Sequence, residues 1–281
     1  MERRQARVDG VGVQYATVGQ GPPLLLIHGW INDHTVWRGV WERLAGEYQC
    51  LLVDLPGFGA SDKPAPDAYP YDVHAFVRAA LAVLDAEGID RAHVGGHSMG
   101  GVVALVLAAT QPERVERLVL ADAAAYPTPF TFKSALAKLP VLGGFIFKYL
   151  YRRAAVSDFF CNEAYSGHGT LDAGTVAYLY DLLDPMPARR AAYASLMRTV
   201  TPVEAVQPHI PQVQHKTLVL WGGDDRLIPV AYGQRLARDL SHADLKIIEG
   251  ACHVCIEEFP EIAAGHIREH LAGALGRTVA V

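Results

Sequence analysis

An open, doubly wound and mostly parallel α/β sheet is the fold that this sequence predicts, on two observations. Short runs of aliphatic and β-branched residues recur along the chain, each too continuous to leave one sheet face wet. Between them lie segments of helical spacing, several opened by Asp, Ser or Pro and closed near Gly. Such alternation is the signature of βαβ units. In chain order the expected strands are Leu24–Ile27, Cys50–Val53, His93–Gly95, Leu118–Leu120, Leu218–Trp221 and Leu245–Ile248. The expected helices are Thr35–Ala45, Tyr71–Glu87, Met99–Thr110, Val230–Leu240 and Glu257–Leu275.

The rhythm breaks between about Tyr126 and Pro211, where helix-compatible sequence punctuated by proline replaces strand signals. We read residues 126–211 as an inserted helical cap, and residues 1–125 with 212–281 as one core domain. Tyr126-Pro127-Thr128-Pro129 and Gln207-Pro208-His209-Ile210-Pro211 both stop regular structure and mark its hinges. Inside it, Leu139 to Phe147 is unusually apolar, as a pocket lining or as a cap helix packed on the core.

A chain of 281 residues can bury a full core without disulfides or a structural metal. Its net charge of −5 leaves no footprint for a nucleic-acid backbone and no polybasic signal for anionic lipid. The longest apolar run, Val102–Ala109, is far short of the roughly 20 residues that span a bilayer. The charged start, from Met1 to Gly10, has no signal-peptide apolar stretch, and the expectation is a cytoplasmic protein, monomer or homodimer. Cys50, Cys161, Cys252 and Cys255 are too scattered for a disulfide framework. Cys252 and Cys255 have the spacing of half a zinc site with no second pair, so small buried hydrophobes are the better reading and no metal is expected.

Gly96-His97-Ser98-Met99-Gly100 matches GxSxG where an apolar strand meets a helix. A serine nucleophile must be lifted from the sheet on a sharp turn, and glycines two residues either side let the strand and helix backbones approach. A simple helix-capping role for Ser98 is the plainer alternative. The hydroxyl needs a base, and the base an orienting carboxylate. Trp221-Gly222-Gly223-Asp224-Asp225 follows one late strand, and Glu249-Gly250-Ala251-Cys252-His253 follows the last.

With the chain order Ser, Asp, His, the sequence resembles the α/β-hydrolases, in the serine-nucleophile branch of esterases, perhydrolases and C–C hydrolases. His28-Gly29-Trp30 and Asp54-Leu55-Pro56-Gly57-Phe58-Gly59-Ala60-Ser61 are also similar to family segments, and the likeness covers the chain outside the cap. The resemblance implies Ser98 as nucleophile, His253 as general base and Asp225 as orienting acid, with the N–H groups of Trp30 and Met99 as the oxyanion hole and no cofactor. Asp224 competes with its neighbour, Asp122 lies where some family members carry the acid, and His28 and His97 are read as shaping residues.

The implied activity is hydrolysis of a small-molecule carboxylic ester through an acyl-enzyme. Haloalkane dehalogenases and epoxide hydrolases resemble the chain elsewhere but use an aspartate where Ser98 stands, and carry a proline where Ile31 stands. Meta-cleavage C–C hydrolases keep the serine, yet usually show HGxGPG where this chain has His28-Gly29-Trp30-Ile31-Asn32-Asp33. C–C hydrolysis and cofactor-free perhydrolysis remain alternatives. An interfacial lipase, suggested by the apolar stretch from Phe145 to Leu150, and a ligand-binding hydrolase-like receptor are two more.

Overall fold

The computed structural model describes residues 1–127, 140–145, 149, 157–166, 173–200, 202 and 205–275. Eight strands form one sheet: β1 (Glu2–Val8), β2 (Val11–Val18), β3 (Pro23–Ile27), β4 (Gln49–Val53), β5 (Ala92–His97), β6 (Val115–Ala121), β7 (Thr217–Gly222) and β8 (Ala243–Ile248). Their order is β1-β2-β4-β3-β5-β6-β7-β8. The first two pairings in that order are antiparallel and the other five parallel.

The helices described are α1 (Arg38–Leu44), α2 (Val73–Ala86), α3 (Met99–Thr110), α4 (Pro140–Phe145), α5 (Ala173–Leu183), α6 (Met186–Ser195), α7 (Val230–Asp239), α8 (Cys255–Glu258) and α9 (Pro260–Leu275). Apolar continuity in the strands has a direct packing cause. Leu25 and Ile27 of β3 join the core under α2, α3 and α7, whereas Leu24 and Leu26 join the core under α1 and α9. In β6, Leu118 and Leu120 face the first core, Val119 and Ala121 the second. Side chains alternate across a strand, so burial on both faces requires an unbroken apolar run.

All six strands expected from sequence are present, and the structure adds the β1–β2 hairpin at the sheet edge. Most of β1 is exposed, and Glu2-Arg3-Arg4-Gln5-Ala6-Arg7-Val8 carries charge where a buried strand carries hydrocarbon. Two expected helices are subdivided. A 3-10 turn over His34–Trp37, capped by Asp33, precedes α1, and Phe259 at φ −129° and ψ 60° breaks α8 from α9 just before Pro260.

Between β6 and β7 the chain leaves the sheet, forming α4, α5 and α6 among the described residues. Thr128 and Pro129 of the expected entry hinge, and Leu139, Phe147 and Leu150 of the apolar stretches, lie outside the described residues. At the exit, Gln207–Gln212 forms a 3-10 helix that packs Ile210 into the core, so regular structure is shortened there rather than stopped. The strand order reverses about β3, with β4 on one side and β5 on the other, and the carboxyl ends of strands at such a switch point form a crevice. No helix of the described residues is long and apolar enough to cross a membrane.

Candidate active site

Ser98 follows β5 directly at φ 51° and ψ −115°, a left-handed backbone that a non-glycine residue holds only under constraint. The constraint is close packing. A Cβ on Gly96 would collide with the Gly100 carbonyl, and one on Gly100 with the carbonyls of Ile27 and His28. Gly29 sits so close to the turn that a Cβ there would lie 3.2 Å from the Ser98 Cβ and 2.8 Å from the His97 ring. The loop carrying Trp30 is thereby pressed against the serine. Met99 opens α3, so its N–H has no acceptor within the helix.

The half-buried Ser98 hydroxyl lies 2.9 Å from His253 Nε2. On the other side of the ring, His253 Nδ1–H donates to Asp225 Oδ2 at 2.9 Å, a tautomer assigned from the network. Asp225 Oδ1 accepts from the N–H groups of Leu227 and Ile228, each at 2.8 Å, which fixes the carboxylate in its loop. Burial disfavours the imidazolium, but Asp225 leads a group of carboxylates, with Asp122 and Glu258, that together raise the His253 pKa above its ordinary value. Of the adjacent acids, Asp224 is exposed and Asp225 is buried against the histidine.

Asp122 stands directly after β6, as the sequence suggests, and its contacts are those of a loop cap rather than of the orienting acid. Fully buried after β6, it accepts from Gly222 N–H at 2.8 Å and from Cys255 N–H at 3.4 Å. It therefore ties the end of the acid-bearing strand to the segment just after His253. Burial, and next the nearby Asp225 charge, push its carboxyl up to about 8.

The two flanking histidines are structural in their contacts. His97 Nε2–H donates to the His253 carbonyl at 2.9 Å, and burial holds the ring neutral down to about 3. His28 Nδ1–H donates to the Gly29 carbonyl at 2.7 Å, while its Nε2 accepts from Leu55 N–H at 3.0 Å. Burial is again the leading cause of its lowered pKa.

Sequence reading missed the carboxylates that join the inserted segment to the core. Glu258 accepts from Cys252 N–H at 2.7 Å and from both the N–H (2.6 Å) and the hydroxyl of Ser166. Tyr165 donates to Glu257 at 2.6 Å, and Tyr178 donates to Asp33. Trp30 adds its own tie, from Nε1–H to the Ala192 carbonyl of α6 at 2.9 Å. The adjacent acids at 257 and 258, four and five residues past His253, were the available signal. Among the described residues, Asp33, His34 and Asp54 bring three potential ligand atoms close together. Their carboxylates are already engaged: Asp33 by Thr35 and Tyr178, Asp54 by His34 and the Ala60 N–H. Cys252 and Cys255 are buried free thiols.

The family described as alpha/beta hydrolase fold matches residues 22–260. A 2-hydroxy-6-oxononadienedioate/2-hydroxy-6-oxononatrienedioate hydrolase from Burkholderia vietnamiensis is 31% identical over 255 residues, covering 85% of this chain and 83% of its own. A 2-hydroxymuconate semialdehyde hydrolase from a Pseudomonas species is 30% identical over 261 residues, covering 89% and 86%. Among solved structures, a bacterial membrane phospholipase A superimposes with a TM-score of 0.81 and 28% identity, over 97% of this chain and 86% of that one.

Proposed function

The chain belongs to the α/β-hydrolase fold family, and from that premise we propose that it hydrolyses carboxylic esters of small molecules through a Ser98 acyl-enzyme. The observation that carries the reading is the unbroken relay from Ser98 Oγ through His253 to Asp225, with both contacts at 2.9 Å. Residues 126–211 act as a cap over a core of residues 1–125 and 212–281.

In the first half-reaction His253 Nε2 takes the Ser98 proton as Oγ bonds to the ester carbonyl carbon. The N–H groups of Trp30 and Met99 hold the resulting oxyanion. His253 then protonates the departing alkoxide, and the C–O bond to the alcohol breaks. Water gives a proton to the same nitrogen and attacks the acyl-enzyme, and Ser98 departs with that proton as the acid is released. Asp225 keeps Nε2 free to accept and stabilises the imidazolium.

C–C hydrolysis is a second reading, favoured by the names of the two curated relatives. The oxyanion loop of this chain departs from the HGxGPG pattern usual in meta-cleavage hydrolases in residue type: Ile31 stands at the glycine position while holding φ 59°, a backbone that glycine adopts more readily. The ester reading also has support from the solved neighbour, a phospholipase by name.

The deciding experiment assays nitrophenyl esters of graded acyl length beside a vinylogous diketone, using wild type and Ser98→Ala. Ester turnover is expected to fall by roughly a millionfold in the variant. Equal turnover in both proteins sinks the serine mechanism, and diketone cleavage outrunning ester cleavage promotes the C–C reading.

A further inference from the structure

We propose that the basic rim of the cap, where it meets the Pro66 loop of the core, is a docking surface for an anionic lipid–water interface. The net charge of −5 conceals a local basic patch. Arg189, Arg190 and Arg198 line one cavity of about 280 Å³, together with Gly144, Tyr193 and Met197. That volume sits at the lower edge of small-molecule sites, suited to a headgroup rather than a whole lipid.

Helical spacing explains why these side chains share a face. Arg189, Tyr193 and Met197 recur every four residues, and Arg190 and Arg198 stand at twice that spacing across the buried Ala194, whereas Ala188, Ala191, Ala192 and Ser195 are buried on the core side. The buried side meets the core, through Ala191 against Gly57 and the Ala192 carbonyl on Trp30. The cavity therefore lies on the side of α6 away from the oxyanion loop.

Each arginine is differently committed. Arg189 donates to Asp184 at 2.9 Å, and Arg198 spends one nitrogen on the carbonyls of Pro66 and Pro70, each at 2.9 Å. Arg190 is exposed and has no hydrogen bond or ion pair with any described residue. Next to Gly144, Phe145 and Tyr149 pack ring to ring at 5.1 Å while remaining 50% and 55% exposed. Two exposed aromatics beside the exposed guanidinium groups of Arg190 and Arg198 match an interface with an apolar interior and anionic headgroups, while Arg189 is held in its pair with Asp184. A symmetric contact with a second copy would instead set arginine against arginine near the axis.

Docking does not depend on the ester reading; its consequence, that long-chain esters at a lipid surface are the preferred substrates, rests on it. The test is co-sedimentation with vesicles of phosphatidylcholine alone, and of phosphatidylcholine with about one third phosphatidylglycerol. Wild type is expected to bind the mixed vesicles more tightly, with binding falling as salt shortens the Debye length from ~10 Å at 0.1 M to ~3 Å at 1 M. Each arginine at such a surface contributes roughly fivefold, so Arg190→Glu should weaken binding roughly 25-fold. The double change Phe145→Ser with Tyr149→Ser should weaken it in both vesicle types. Turnover of a short soluble ester should be unchanged in these variants, which verifies folding. Ser98→Ala should bind as wild type does, so loss of the ester reading leaves the docking result standing. Absence of binding, equal binding to both compositions, or indifference to Arg190→Glu overturns the proposal. So does self-association abolished by Arg190→Glu, which would identify a second copy as the occupant.

Discussion

Asp225 and Asp122 are both buried carboxyls near one histidine, and their hydrogen bonds separate them. Asp225 receives the His253 ring, so Asp225→Asn should favour the wrong tautomer and lower kcat roughly 10⁴-fold. The base must be neutral, and Asp225 helps to raise the His253 pKa, so the acid limb of kcat/KM should lie above the ordinary histidine value of ~6.5. In Asp225→Asn the residual activity should show that limb at lower pH, as measured by a pH–rate profile. Asp122 accepts from the backbone N–H groups of Gly222 and Cys255 and also meets the Cys255 thiol. Asp122→Ala should leave both N–H groups unsatisfied, at about 1–3 kcal/mol each, and lower kcat with little change in KM. A rise in KM at constant kcat would refute that positioning role. The sequence made Ser98 and His253 legible because each stands alone after its strand. Between Asp224 and Asp225 it is family resemblance alone that picks the second, since burial decides between neighbours and the residue types are identical.

At the level of elements, what the sequence revealed depended on how each element is stabilised. Strands buried on two faces announced themselves as apolar runs, whereas β1, held at an edge by backbone pairing, left no such pattern. The ties between inserted segment and core were equally hidden, because they join residues far apart in sequence: Tyr165 to Glu257, Ser166 to Glu258, Trp30 to Ala192. Glu258 grips both Ser166 and the Cys252 N–H beside His253. Glu258→Ala should therefore lower stability by about 2 kcal/mol and raise KM, read by thermal denaturation and steady-state kinetics. Glu257, raised by burial to about 7, favours the docked arrangement when protonated. Its contribution is full below its unfolded value and is lost as pH climbs to about 7.

Across the whole molecule, buried histidines set the response to acid. His93 and His270 are lowered to about 4 and His97 to about 3, with His28 lowered as well, burial leading in each case. Their stabilisation is complete above the unfolded value of ~6.5 and disappears as pH falls toward the folded values, by up to ~1.4 kcal/mol per pH unit for each ring. Asp122, Glu257, His34 and His253 are raised and work in the opposite direction, but the two histidines change proton binding only above ~6.5, which leaves two carboxyls against four rings below it. Thermal midpoints should consequently decline from pH ~6.5 downward, and His93→Gln should flatten that decline by the share of one histidine. An unchanged slope in the variant would remove His93 from the account.

The sheet also meters the chemistry. Ser98 and Asp122 directly follow β5 and β6, whose residues pair as Gly96 with Leu120 and His97 with Ala121, and Asp225 lies three residues past β7. A slip of one residue would displace a strand by ~3.3 Å, longer than either 2.9 Å contact in the relay. Hydrophobicity offers little protection against such a slip, because these strands are apolar on both faces. Steric keys must supply it: Gly95 against Leu26, Gly96 against Gly100, Gly101 against Ala123. Those small residues act as indexing teeth, and enlarging one should misalign the relay well before it unfolds the core.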